Sequence, residues 1–230
     1  MLFCYIIQQQ ALMNKKLFFI SIVIFFCASG FAQKTARNAQ VSLFSYDYTF
    51  SADFIDKFKA LSGNFSINQK DSKLAAEAIL ARNVFEEIKS SLDKVYGLFV
   101  LPENSFLDAA KYDDNGYPQI LIQKAIREGN TKFFFKISTR FDFVPLTELP
   151  ERIAPGEYPR VYICIKIYNK FGYEPIQVME ATYYTDKPFS FNAEALSGLE
   201  YTTKEEATAA DGVMTIKQLI KECTYRAVNR

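Results

Sequence analysis

The sequence predicts an α+β fold, a two-layer sandwich in which a mainly antiparallel sheet carries its helices on one face. Three observations predict it. Residues 131–143 (TKFFFKISTRFDF) and 160–170 (RVYICIKIYNK) alternate apolar and polar side chains with almost unbroken period two, the mark of strands with one covered and one wet face. Residues 71–96 and 214–228 instead carry apolar side chains three and four apart, the spacing of amphipathic helices that need a surface to cover. The chain also holds 22 Phe and 14 Tyr but no Trp, an aromatic content suited to a sheet.

The sandwich is preceded by a leader. Met13 to Gln33 reads MNKKLFFISIVIFFCASGFAQ: Lys15 and Lys16 supply a positive start, Leu17 to Cys27 an oily run, and Gly30-Phe31-Ala32 the small residues a signal peptidase admits, so cleavage is expected after Ala32. As a helix the oily run reaches only about 16 Å, roughly half the hydrocarbon thickness, too short to span. Lipidation at Cys27 is disfavoured by the bulky Ile24-Phe25-Phe26 before it. Met1 to Leu12 lie upstream of the charged start, as a mistaken start codon ahead of Met13 would place them. The expected organisation is a signal peptide over 1–32 and one α+β domain over 33–230, exported to the periplasm or the exterior.

Within the domain, Val41 to Phe50 alternates Val41, Leu43 and Ser45 against Ser42, Phe44, Tyr46 and Tyr48, and reads as the first strand. From Ser51, a natural N-cap, Phe54, Ile55, Phe58 and Leu61 suit one helical face. Asp71 to Tyr96 is the longest helix: Leu74, Ala75, Ala78, Ala81, Phe85, Ile88, Leu92 and Val95 form its stripe, Asp71 or Ser72 can cap it, and Gly97 stands where a left-handed terminator belongs. Leu98 to Leu101, continuous and halted by Pro102, suits a central strand covered on both faces or one too short to show its period. Ser105 to Lys111 suits a helical turn, Asp113 to Gly116 a plain turn, and Pro118 the opening of a helix through Arg127.

The strand over 131–143 sets Phe133, Phe135, Ile137, Thr139, Phe141 and Phe143 on one side and Lys132, Phe134, Lys136, Ser138, Arg140 and Asp142 on the other. Pro145, Pro150, Pro155 and Pro159 punctuate a connector. Arg160 to Lys170 turns Val161, Ile163, Ile165 and Ile167 inward and Tyr162, Cys164, Lys166 and Tyr168 outward. After a hairpin turn at Asn169–Gly172, Glu174 to Thr185 is expected to return with Ile176 and Val178 inward, and with a bulge or register change at Glu180. Residues 186–213 read as an irregular loop anchored by Phe189, Phe191 and Tyr201, and Met214 to Val228 as a closing helix with Ile216, Leu219, Ile220, Cys223 and Ala227 on one stripe. A transmembrane barrel would need many strands with an outward apolar band, which about five strands and a long amphipathic helix do not provide.

Composition excludes much chemistry. There is no His, which removes Ser-His-Asp and Cys-His nucleophiles and imidazole metal ligands; no cofactor or metal is implied. Removing Lys15 and Lys16 leaves the basic residues one short of the 26 acids, a balance that gives no global attraction to nucleic acid or to anionic membranes. Lys111 to Gly116 has the outline of a calcium loop, but Lys111 and Ile122 would fall on ligand positions and cannot coordinate calcium. Glu86-Glu87 and Glu205-Glu206 are solvated charge rather than facing glycosidase acids, since neighbouring residues on a helix diverge. Cys164 and Cys223, left after the leader, are candidates for a disulfide in an oxidising compartment.

One constellation stands out. Lys132, Lys136 and Arg140 recur every fourth residue, about 13 Å apart along one strand face, with Phe134 among them. The neighbouring outward row offers Tyr162, Lys166 and Tyr168. If the strands pair, a basic-aromatic surface results that can stack on sugars and engage carboxylates or phosphates. The layout of helix, strands, hairpin and terminal helix over about the last 150 residues resembles periplasmic domains of secretion and transporter-accessory lipoproteins, without a shared motif and without their anchor Cys. The expectation is an exported, non-catalytic envelope module that binds an anionic glycan, a lipid headgroup or a protein partner, the alternative being a carboxylate-dependent hydrolase.

Overall fold

The computed structural model describes residues 38–61, 72–149, 156–185, 189–199 and 214–229; the leader and its cleavage point, the Asp71 cap and Tyr201 lie outside the described residues. Strands β1 (Gln40–Phe50), β2 (Phe99–Val100), β3 (Phe133–Phe143), β4 (Pro159–Asn169) and β5 (Gln177–Tyr184) accompany helices α1 (Ala52–Ala60), α2 (Ser72–Tyr96), α3 (Ile122–Glu128) and α4 (Ile216–Val228). The strands form one sheet in the order β2-β1-β3-β4-β5.

The α+β class stands, but the sheet is mixed rather than mainly antiparallel. β1 runs parallel to both β2 and β3, and the antiparallel pairs are β3–β4 and β4–β5. Connection length explains it. Parallel neighbours require a crossover that carries the chain back to its starting end, and α1 with α2 does this between β1 and β2, as residues 101–132 do between β2 and β3.

Local chemistry builds the helices as the pattern implies. The Ser51 side chain accepts from the Phe54 N–H at 3.3 Å to open α1. Gly97, at φ +63°, closes α2, and Thr215 and Gln218 form a reciprocal capping box at the start of α4. The inner face of the sheet presents Leu43, Phe135, Ile137, Phe141, Ile163 and Ile165 to Phe54 and Phe58 of α1, Leu80, Phe85 and Ile88 of α2, and Leu219 and Ile220 of α4. Phe141 lies 5.3 Å from Phe50 and 5.4 Å from Phe54, ring centre to ring centre.

Five local expectations are corrected. In β1 the register slips between Leu43 and Ser45, so Phe44 is an extra residue and a bulge reverses the phase beyond it. Tyr46 thereby joins Val41 and Leu43 in the inner core, with Tyr48 and Phe50 packed against it, while Phe44 turns to the outer face. Of the two readings of the LFVL run the short strand holds and the central one does not: it is a two-residue edge strand, and Phe99 is exposed. Pro118 opens no helix: Gln119 bridges Ser45 and the Ile120 N–H bonds the Phe44 carbonyl at 3.1 Å, so this stretch covers the β1 edge beyond β2. On α2, Val95 is exposed while Ile79, Leu80 and Val84 widen the buried stripe.

The fifth correction concerns β5. Met179 and Ala181 point inward and Ile176 and Val178 are exposed, with Glu180 in regular register opposite Cys164 and no bulge. The cause is the pairing itself, since Gln177 opposite Ile167 sets odd-numbered residues of β5 on the inner face.

The sandwich also carries a partial third layer. On the outer face, Phe44, Phe134 and Tyr168 are buried with Phe106 and Ala125, with Ile120, Ile122 and Ile126 packed against them. Gly129 lets this cover approach: an added Cβ would strike the Phe134 ring and would lie 2.6 Å from the Ala125 carbonyl.

Candidate functional site

The pairing of β3 with β4 brings the expected surface residues together. Phe134 stands opposite Tyr168, Lys136 opposite Lys166, Ser138 opposite Cys164 and Arg140 opposite Tyr162. Lys132 lies just before β3 and is exposed. The six that lie within the strands share one side and fall into two groups. Phe134 and Tyr168 are buried beneath the third layer, Phe134 stacked on Phe106 at 6.3 Å and Tyr168 edge-on to Phe44 at 5.3 Å, so neither ring face is open to a ligand.

Lys136, Arg140, Tyr162 and Lys166 occupy the open half, and their charges are largely answered from within. Lys136 forms an ion pair with Asp47 of β1. The Arg140 Nε lies 3.2 Å from Asp142 Oδ2, and its guanidinium sits 5.8 Å from the Tyr162 ring centre, a cation–π distance. Tyr162 donates its hydroxyl to Glu180 Oε2 at 3.2 Å. Burial, then the neighbouring Cys164 and Glu180, hold the Tyr162 phenol well above its ordinary value, so it remains a hydrogen-bond donor. Further along, Arg160 grips Asp142 with two bonds of 2.7 and 3.0 Å and reaches Glu148 at 2.8 Å. The hydrogen bonds that Arg160 donates to Asp142 lead in raising its guanidinium above the usual range.

Lys166 differs: among the described residues no acid pairs with it, and its cross-strand neighbours are Lys136 and Val178. Sequence reasoning missed Asp47 and Glu180 as members of this face. The β1 bulge hid the first, and the reversed β5 phase hid the second.

The two cysteines are free and buried, and the candidate disulfide between them is not formed. Cys164 stands on the outer side of β4 between Ser138 and Glu180. Cys223 lies under the inner face on α4, its thiol 3.3 Å from the Val161 carbonyl and 3.5 Å from that of Ala181. The sheet separates them. Burial pushes the Cys223 thiol up to about 12, which keeps it protonated and non-nucleophilic.

The Asp113 turn is held as a turn. Asp113 Oδ1 accepts from the Asn115 and Tyr117 amides at 3.0 and 2.9 Å, and Oδ2 accepts from the Tyr48 hydroxyl at 3.0 Å. These bonds tie the 111–119 stretch to β1. Burial, helped by Asp113, pushes the Tyr48 phenol up to about 12.

A second concavity, of about 580 Å³, lies at α1 and is lined by Asp53, Asp56, Lys57, Phe143, Glu157 and Tyr158 among others. Its acids do not face one another unopposed: Lys57 pairs with Glu157, and Lys59 lies 3.9 Å from Asp56. Among the described residues no group of Cys, Asp and Glu could hold a metal ion, and no helix is long and apolar enough to cross a membrane.

No family model and no curated protein matches the sequence. Among solved structures, the chain is similar to the hypothetical protein CT253 from Chlamydia trachomatis at 10 % identity and a TM-score of 0.41, over 84 % of this chain and 92 % of that one. It is similar to Lipoprotein GNA1162 from Neisseria meningitidis at 8 % and 0.38, over 66 % and 88 %. The PelC dodecamer from Paraburkholderia phytofirmans aligns at 8 % and 0.33, over 84 % and 88 %.

Proposed function

We propose that this chain is an exported, non-catalytic binding or assembly module of the bacterial envelope, working in the periplasm or outside the cell after cleavage near Ala32. The open half of the outer sheet face is its recognition surface for an anionic partner, an envelope glycan, a lipid headgroup or an acidic protein segment. The observation that carries this reading is the Lys136–Lys166 cross-strand pair. Like charges directly opposite on a sheet are destabilising, and here Asp47 pairs with Lys136, while among the described residues no acid pairs with Lys166. A carboxylate or phosphate seated over Lys166 would complete the pairing, flanked by the Tyr162 ring and Arg140.

The test is retention on anionic cell-wall material by the protein carrying Lys136→Ala, Arg140→Ala and Lys166→Ala together. A folded triple variant is expected to be retained at least about tenfold less well, as loss of several exposed charge contacts implies. Unchanged retention removes this surface. The hydrolase alternative draws on the concavity at α1. Glu157 and Asp56 are paired with lysines, and Asp53 and Asp56 are exposed on the helix, an environment that supplies no desolvated acid for proton donation. Turnover of a glycoside or ester that is lost in Asp53→Asn would reverse the preference.

A further inference from the structure

At one end of the sheet the start of β1, the start of β3, the end of β4 and the start of β5 lie in a row, because Val41 pairs with Phe133, Phe133 with Asn169 and Ile167 with Gln177. The turn joining β4 to β5 projects from this row and is apolar where a turn is usually polar. Phe171 is 96 % exposed, Tyr173 61 %, Ile176 48 % and Val178 49 %. From the tip, Ile176 and Val178 carry the apolar strip onto the outer side of β5, beside Lys166. Soluble monomers seldom leave such a contiguous strip open without using it.

The charges flanking this strip are three lysines and one acid. Lys170 adjoins Phe171, Lys132 immediately precedes Phe133 opposite Asn169, and Lys166 lies one pair inward, while within the turn Glu174 is the acid. At the opposite end of the same strands Arg140 and Arg160 are answered by Asp142 and Glu148. A protruding aromatic tip ringed by lysines complements the water–lipid boundary, where amphipathic rings sit at headgroup depth and ammonium groups meet phosphates. The described chain also starts at this end, Asn38 donating to the Tyr96 carbonyl and Gln40 pairing with Phe99. Residues 28–37 separate it from the oily leader run and reach at most about 35 Å. A leader held in the bilayer would keep this end within that reach of it until cleavage.

We propose that the hairpin end of the sheet docks reversibly onto a lipid bilayer bearing anionic headgroups, with Phe171, Tyr173 and Ile176 entering the interfacial zone and Lys132, Lys166 and Lys170 against headgroup phosphates. Neither signal suffices alone. Apolar insertion of this size is weak, and a few lysines give only modest attraction to an anionic surface. Attachment therefore requires both. The proposal rests on the envelope reading only in that export brings the chain to a membrane.

The chain has no Trp, so Phe171→Trp installs a single fluorescent reporter at the tip. Exported protein carrying it is titrated with vesicles of phosphatidylcholine alone and with vesicles in which phosphatidylglycerol replaces half. A blue shift and flotation with the anionic vesicles, weak or absent with neutral ones, is expected. Lys132→Gln with Lys170→Gln should weaken the anionic binding by about tenfold or more, and Phe171→Ser with Tyr173→Ser should abolish flotation while leaving circular dichroism unchanged. No blue shift, equal binding to both vesicle types, or flotation indifferent to the hairpin variants overturns the proposal. Absent vesicle binding with retention on cell-wall material intact removes this docking end and leaves the envelope reading standing; loss of cell-wall retention alone does the reverse.

Discussion

On the inner face of the sheet, Phe135, Ile137, Phe141, Ile163 and Ile165 meet three helices and are fully buried. On the outer face the same two strands carry Phe134 and Tyr168 at one end, roofed by a short segment, and Arg140, Tyr162 and Lys136 at the other, open to water. Strand chemistry is equally regular on both sides, so alternation alone does not create the difference. What separates the faces is cover. The inner cover comes from long amphipathic helices with strong periodicity of their own, whereas the outer cover comes from Phe106, Ala125 and a few isoleucines in a 3₁₀ turn, an extended stretch and a seven-residue helix.

The sharpest way to break this comparison is to remove one buried phenylalanine from each face. Phe141→Ala is expected to cost about 3–5 kcal/mol, the range for truncating a fully buried ring whose site cannot collapse. Phe134→Ala should fall at or below the lower end, about 3 kcal/mol, because the thin roof of residues 106–126 can settle into the gap. Urea unfolding gives both numbers, and hydrogen exchange separates them: Phe134→Ala should loosen chiefly the amides of 106–126, while Phe141→Ala lowers protection throughout the sheet. Equal costs with equal global loss would mean that the two covers form one cooperative core.

The faces also differ in what high pH does to them. Cys223 is sealed under the inner face with its thiol raised to about 12, above the value near 8.5 of an unfolded chain. The unfolded state therefore releases its proton first and binds fewer protons, so unfolding becomes easier as pH rises. The contribution is fully present below about pH 8.5 and is lost progressively up to about pH 12. By about pH 10 the loss reaches about 2 kcal/mol at most, at about 1.4 kcal/mol per unit. Tyr48, also raised to about 12, adds to the decline only above about pH 10. The stability of Cys223→Ala should fall less steeply between about pH 8 and pH 10 than that of the parent. Identical slopes would mean that the thiol is not held neutral by the core.

These contrasts mark what was legible in the sequence. Helix spans and the sides of β3 and β4 were readable because period two and period 3.6 are written directly in the side chains. The parallel pairing of β1 was not, since strand direction depends on the length of a crossover and leaves no periodic trace. Phe134 and Tyr168 were correctly placed outward and yet lie buried, because the segment that roofs them has no stripe to announce it. Asp47 and Glu180 escaped for a related reason. One depends on a single extra residue at Phe44, the other on a pairing register, and each flips every later side chain to the opposite face. The surface thus read as basic and aromatic is mostly a set of internal ion pairs, and among the described residues Lys132 and Lys166 are the foreseen charges that no acid pairs with.

The smallest expected effect tests the phase of β5, the point where sequence and structure disagree most directly. Val178 lies opposite Lys166 on the outer side of the edge strand, while the adjacent Met179 lies opposite Ile165 and is buried. Val178→Thr keeps the β-branched shape that suits a strand and sets its new hydroxyl in water, so stability should change by no more than about 0.5 kcal/mol. Met179→Thr removes buried volume and also leaves a hydroxyl in an apolar layer, which together should cost about 2–4 kcal/mol. The pair is read as one experiment, the two urea midpoints compared with the parent. A large loss for Val178→Thr beside a neutral Met179→Thr would reverse the strand, turn Ile176 and Val178 into the core, and take the apolar strip away from the hairpin end.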